Sequence, residues 1–202
     1  MAYFCAISDV ENFLQVTVPD ARRYGVLRAI AAVTEEIQNY TRQQIEYKAD
    51  DEVTLDVEAG RTKIMLPELP VIEVTSVVED GDTLTAGSDE DYQLGQYGIL
   101  HRVNGEWEAG IQILVVTYTH GYSAIPDDIR DVAARAVARA YQAGLKAAEV
   151  EGLTGVQALS LGDYSVQFGS EQAGGTGDSS LGASAAPILL RSEREMLHKY
   201  RP

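Results

Sequence analysis

Metal and thiol chemistry have little to work with in this 202-residue chain, which holds one cysteine, Cys5, and three histidines, His101, His120 and His198. No two of the histidines stand at metal-ligand spacing such as H-x-x-x-H, and no nucleophile signature surrounds Cys5. A single cysteine excludes an intramolecular disulfide framework and fits a reducing compartment. No apolar run approaches the ~18 residues of a membrane-spanning helix, and the opening residues form no basic-then-apolar leader. The expectation is a soluble, cytosol-made protein with no membrane partner. No glycine loop with its lysine between strand and helix is present to cradle a phosphate, so no cofactor is expected.

Cations are scarce as well. Against 31 acidic residues stand 16 Lys and Arg, a net charge of −15. A protein that wraps nucleic acid needs clustered Lys and Arg, so wrapping is excluded. A channel through which DNA passes without sticking is not. The acidity is uneven: residues 46–110 carry 16 acidic and 4 basic side chains, and the one locally basic stretch is Arg191–Pro202. Asp80, Asp82, Asp89, Glu90 and Asp91 fall in the acidic middle, as candidates for a channel lining or a solvent face.

What is present is a change of period along the chain. Ser8-Asp9-Val10-Glu11 has the form of a capping box opening a short helix through Leu14. Pro19-Asp20 opens a second helix, with Leu27, Ile30, Val33 or Thr34, Ile37 and Tyr40 at three-and-four spacing, ending around Thr41 to Gln44. The period then drops to two. Val53, Leu55 and Val57 alternate with Thr54, Asp56 and Glu58, and Ile64–Leu66 continues the pattern. Pro67 and Pro70 restrict their neighbourhood to edge or connecting geometry. Ile72, Val74, Ser76 and Val78 are expected on one strand face, closed by the Asp80-Gly81 turn. Two short strands are predicted at Tyr92–Leu94 and Ile99–Val103. Ile111–Tyr118 is apolar on both faces and should be covered on both sides. It runs into Thr119-His120-Gly121-Tyr122-Ser123-Ala124-Ile125-Pro126-Asp127-Asp128, a strand-to-helix joint. There Gly121 supplies a positive φ, Pro126 suits the first helical position, and the two aspartates complement the helix dipole.

A third helix is predicted from Pro126 to Ala148, rich in alanine and carrying Arg130, Arg135 and Arg139. From Glu149 the composition turns to Ser, Ala and Gly, with Tyr164–Phe168 as an island of strand pattern. At the end, Ile188, Leu189, Leu190, Met196, Leu197 and Tyr200 gather around a short helix. Such a terminus reads either as a frayed end or as an apolar, basic segment on a tether that reaches a partner's groove. The acidic pairs read as solvated surface turns. A hydrolytic carboxylate site at Asp89–Asp91 is the enzymatic alternative.

Several segments in order resemble the head–tail connector (adaptor) proteins of long-tailed double-stranded DNA phages. They are Ser8–Leu14; Ile37-Gln38-Asn39-Tyr40-Thr41-Arg42; Leu66-Pro67-Glu68-Leu69-Pro70 through Val77; Asp91-Tyr92-Gln93-Leu94 with Gly98-Ile99-Leu100; and Val116–Tyr122 with Pro126–Ile129. Together they span Ser8 to Tyr141. Gly162-Asp163-Tyr164-Ser165-Val166 and the terminal Leu-rich helix are similar to the tails of members from actinobacterial phages. The resemblance implies a non-enzymatic virion protein, assembled in the host cytoplasm and placed in the neck. It would form a homo-oligomeric ring, typically of twelve, beneath the portal protein, and extend the DNA channel toward the tail. Its C-terminal segment would contact the portal, and a stopper or tail-completion protein would follow. A different neck role, as head-closure stopper or tail-completion protein, is the nearest alternative.

The expected fold is α+β: a helical bundle core, a β-rich insertion and an extended C-terminal tail. Residues 1–45 would supply the N-terminal helices of the core, 46–120 the insertion and 121–148 the core helix. Residues 149–202 would form a flexible tail ending in a portal-docking segment. Ile188, Leu189, Leu190, Met196, Leu197 and Tyr200 are the expected portal contacts. Arg130, Arg135 and Arg139 are the ring-interface candidates.

Overall fold

A computed structural model describes residues 3–151, 158–161, 164–167 and 188–202. Two helices come first, α1 (Ile7–Leu14) and α2 (Asp20–Thr41). A strand-rich stretch follows: β1 (Lys48–Val57), β2 (Lys63–Met65), β3 (Val71–Glu79), β4 (Asp82–Thr83), β5 (Tyr92–Leu94), β6 (Ile99–Arg102) and β7 (Gly110–His120). The long helix α3 (Asp127–Glu151), a hairpin of β8 (Ala158–Leu161) and β9 (Tyr164–Gln167), and α4 (Arg191–Leu197) complete the order. The mixed α+β fold is as expected. The tract expected to be flexible lies largely outside the described residues.

The capping of α1 differs from expectation. Its N-cap is Ala6, whose N–H donates to Asp9 Oδ2 at 2.7 Å, half of a capping box placed two residues early. Glu11 is thereby freed, and its Oε1 accepts the Val18 N–H at 2.8 Å, tying the α1–α2 loop back to the helix. Helix α2 keeps its predicted bounds and ends on Arg42 in the left-handed region, whose N–H donates to Gln38 O. Its buried stripe is Val26, Ile30, Val33, Thr34 and Ile37, and Leu27 turns outward instead. In α3, Pro126 stands just before the first helical residue, and its carbonyl accepts the Arg130 N–H at 3.0 Å.

These helices share one apolar core. Val10 of α1, Val26, Ile30, Val33 and Ile37 of α2, and Ile129, Val132, Ala133, Ala136 and Val137 of α3 form it together with Leu189 and Leu197. The alanines let α3 approach its neighbours closely, while the aliphatics exclude water; each fully buried aliphatic contributes about 1.5–3 kcal/mol.

A second core lies between two antiparallel sheets. The larger has the order β1-β7-β3-β4, the smaller β2-β6-β5. Leu114, Val116 and Tyr118 of the central strand β7 are fully buried against Leu66, Tyr92, Leu100 and Trp107. Strand β3 departs from simple alternation. Register shifts between Val71 and Glu73, and between Val74 and Ser76, move Val77 and Glu79 inward and leave Ile72 at 53% exposure. A bulge adds one residue and flips every side chain beyond it. Asp80 and Gly81 both take positive φ, the pattern of a tight hairpin turn, as their sequence predicted. Among the described residues, strand β7 is covered on only one face. Val115, Thr117 and their cross-strand partners Thr54 and Val78 lie on the other, which no core residue packs against.

Candidate assembly surfaces

The two cores meet at the strand-to-helix joint. Gly121 has φ of 85°, and its N–H donates to Pro70 O at 3.0 Å. Tyr122 exchanges backbone bonds with Ile45 O (2.9 Å) and the Tyr47 N–H (3.1 Å). A Cβ at position 121 would stand 2.1 Å from Glu46 O, so only glycine fits. Beside it, Asp51 accepts from Lys48 Nζ at 2.6 Å and lies 3.1 Å from Nε2 of the fully buried His120. Partial burial pushes the Asp51 carboxyl up, but the bonds from Lys48 and His120 outweigh it and hold it below its ordinary value. Gln43 clamps the neighbouring loop, donating to Pro67 O at 2.7 Å and accepting the Leu69 N–H at 2.6 Å.

The C-terminal segment is fixed to the helical core by buried charge. Arg139 reaches Glu193 with two parallel bonds, Nη1 to Oε1 at 2.7 Å and Nη2 to Oε2 at 2.8 Å. Its Nη2 also donates to Ile188 O at 3.0 Å, and Glu193 Oε2 accepts the Leu190 N–H at 2.7 Å. The Glu193 side chain is 4% exposed. At the far end of the segment, Tyr200 donates to Asp128 Oδ1 at 2.7 Å and Lys199 pairs with Oδ2 at 2.5 Å. Partial burial raises the Asp128 carboxyl; Lys199 and Tyr200 overcome that and hold it below its ordinary value. Burial and the Asp128 carboxylate together push the Tyr200 phenol up. Arg194 and Arg201 lie over the Tyr40 ring, 5.8 and 5.5 Å from its centroid.

This arrangement divides the apolar cluster of the terminus. Leu189 and Leu197 are buried in the chain's own core, and Tyr200 packs edge-on against Tyr122 at 6.0 Å. Ile188, Leu190 and Met196 remain 44, 41 and 38% exposed. Between the segment and the loop after β5 runs a cleft of about 440 Å³, lined by Gln43, Leu94, Tyr97, Tyr122, Tyr200 and Arg201 among others.

The arginines of α3 all find partners within the chain. Arg130 pairs with Asp127 at 3.2 Å and Arg135 with Asp131 at 2.6 Å, both exposed pairs along the helix, while Arg139 holds Glu193. Of the acidic candidates, Asp80, Asp82, Asp89 and Glu90 are exposed, and Asp91 is half-buried with Oδ2 accepting the Thr85 N–H at 2.8 Å. Among the described residues no group of three His, Cys, Asp or Glu side chains is placed to hold a metal. Nothing in the spacing of the chain announced the pairing of Arg139 with Glu193. Nor did it announce the Arg102–Glu79 pair at 3.2 Å, buried between the sheets beside Trp107. A charge within an apolar run, as in Val77-Val78-Glu79, was the one available signal.

Residues 4–141 match the model of a family described as head completion protein (HCP). The chain belongs to the head completion protein family. Membership makes it a structural protein of the phage particle and agrees with the expected place in the virion neck. The matched region takes in the second core and all of the first except Leu189 and Leu197, and ends inside α3. No curated protein matches the chain. Two solved structures are remotely similar. One is the neck of a native GTA particle with C12 symmetry, 17% identical, with TM-score 0.40, covering 68% of this chain and 75% of that one. The other is the neck of an empty GTA particle with C6 symmetry, also 17% identical, with TM-score 0.42, covering 79% and 88%.

Proposed function

We propose that this head completion protein is the adaptor ring of the neck: a non-enzymatic ring, of twelve copies, seated below the portal protein. It extends the DNA channel and offers the platform on which a stopper or tail-completion protein docks. The observation that carries this reading is the separation of charge between the two halves of the fold. The strand-rich half holds 16 acidic and 4 basic residues over 46–110, and Asp80, Asp82, Asp89 and Glu90 project from its turns into solvent. A channel wall of that sign repels phosphates and lets DNA slide, whereas a basic one would hold them. The helical half instead carries the basic C-terminal segment, pinned by Arg139 and Asp128, with Ile188, Leu190 and Met196 facing outward. These three, with Arg191 beside them, form the portal-docking patch; Leu189, Leu197 and Tyr200 position it from within.

The test is a particle image combined with a binding experiment. Imaging should find the chain as a ring between portal and tail. Replacing Ile188, Leu190 and Met196 with aspartate should abolish binding to purified portal while the fold survives, since all three are partly exposed. Unchanged portal binding sinks the docking patch. A chain that contacts only tail proteins identifies a head-closure stopper or tail-completion protein instead.

A further inference from the structure

We propose that the β8–β9 hairpins of neighbouring copies pair edge to edge, β9 of one beside β8 of the next, into a continuous girdle around the ring. The inference rests on the ring reading and names a backbone seam that closes it. The hairpin supplies the first half of the argument. Its register sets Leu159 against Val166 and Leu161 against Tyr164, with Ala158–Gln167 and Ser160–Ser165 as the alternate pairs. Residues two apart share a face, so Leu159, Leu161, Tyr164 and Val166 make one face of the ladder wholly apolar, and the other is small and polar. A lone two-stranded hairpin is marginal in water; it needs a third strand or a packed helix. Among the described residues neither strand pairs with a third, and no helix lies along the hairpin.

The second half is charge. Edge strands that must stay single are blunted by charged residues or proline. Strand β1, at the edge of the larger sheet, carries Asp50, Asp51, Glu52 and Asp56 in that way. Neither β8 nor β9 holds a charge or a proline, in a chain of net charge −15. Copies that repel one another elsewhere meet here without repulsion, and the N–H and C=O groups of one outer edge match those of an identical hairpin. The ladder stays antiparallel when β9 is followed by the next copy's β8, so the contact is heterologous and repeats around the axis until it closes. Each added hairpin also flanks the Leu, Tyr and Val of one copy with those of the next. The dimensions agree. At about 4.8 Å between strands, two from each of twelve copies make a girdle of about 115 Å, roughly 37 Å across before strand tilt widens it. Barrels of about 16–18 strands already leave an aqueous channel, so the path of the DNA stays open. The chain between Glu151 and Ala158 reaches at most about 25 Å, which holds the girdle close to the ends of the α3 helices.

The test mixes two full-length chains in the same particles, each with one new cysteine: Ala158→Cys or Ser160→Cys in one, Ser165→Cys or Gln167→Cys in the other. All four positions share the polar face, and strand pairing keeps faces together, so one such mixture should bring two cysteines within the ~7 Å that a disulfide spans. Oxidation is expected to give a dimer from that mixture. Neither chain alone should give one, because like positions stand about 10 Å apart, two strands on. Cys5 is buried and stays silent. A ring in the particle with no dimer from any mixture, or a dimer from a single variant, overturns the girdle and leaves the ring reading intact. Particles without a ring of this chain overturn both. Should the variants fail to assemble, amide exchange on the unmodified protein decides. Ala158–Leu161 and Tyr164–Gln167 should exchange about tenfold or more slowly in particles than in the purified, unassembled chain. Equal rates in the two, whether fast or slow, overturn the proposal.

Discussion

Arg139 and Glu193 join α3 to α4 across 54 positions of sequence, and their geometry predicts what removing either would do. Glu193 is nearly buried, so Arg139→Ala strands a carboxylate with one backbone donor left, at a cost of about 3–5 kcal/mol. Replacing both at once by Met and Leu should cost far less, because no charge is then left behind. Chemical denaturation of the single and double variants measures the difference; a single-variant loss below about 1 kcal/mol would mean that the C-terminal segment does not rest where the structure has it. Asp128 predicts a response to pH. Its folded-state pKa is depressed, so its contribution to stability is present above the unfolded value of about 4 and is lost as pH falls through the lower, folded one. Amide exchange in Arg191–Leu197 should therefore quicken in that acid window. Glu193 and Glu36 also face the segment, which makes Asp128→Asn the control: it should exchange quickly at neutral pH and lose most of the acid response. Gly121→Ala is a harsh change as well, since its Cβ has no room beside Glu46 O and its φ is positive; it should cost roughly 3 kcal/mol or more, read by thermal melting.

At the scale of elements, α4 tests whether its apolar residues are core or surface. Leu189→Ala and Leu197→Ala should each destabilise by about 2–5 kcal/mol, whereas Met196→Ala should stay within about 0.5 kcal/mol. Equal effects from all three would contradict the docking of this helix on the bundle. Short helices do not announce which side they bury until a partner is known, and that is why the terminus read as one apolar cluster. The longer elements were legible because many residues vote. Helix α2 kept its bounds, with Pro19 before it and Arg42 after, and β7 showed both its length and its double-faced character. What escaped was set by small local choices. Ala6 rather than Ser8 caps α1 because Asp9 reaches the freed N–H, and two bulges in β3 exchange Ser76 and Val78 for Val77 and Glu79 as the inward residues. The joint at Gly121 was legible as a turn; its role as the seam between two cores was not, since Pro70, Ile45 and Glu46 come from distant sequence.

Across the whole molecule, the net charge of −15 would act as a mechanical property in the proposed ring, where each surface carboxylate would be repeated around the channel. Phosphate contacts release counterions, so DNA affinity rises steeply with each added cation and falls as salt is added. The wild-type protein should not retain double-stranded DNA at about 0.15 M salt, as a mobility-shift assay would show. Converting Asp89 and Glu90 to lysine changes two exposed side chains that, among the described residues, hold no cation and position no backbone outside their own turn. Folding and particle assembly should therefore persist. If this turn faces the channel, DNA release from the particle should slow, and raising the salt should restore the rate, since the added cations act through counterion release. A slowing that salt does not relieve would point to obstruction rather than charge. Release at the wild-type rate would put the acidic turn on the outside of the neck, where like charge keeps neighbouring particles apart rather than keeping DNA in motion.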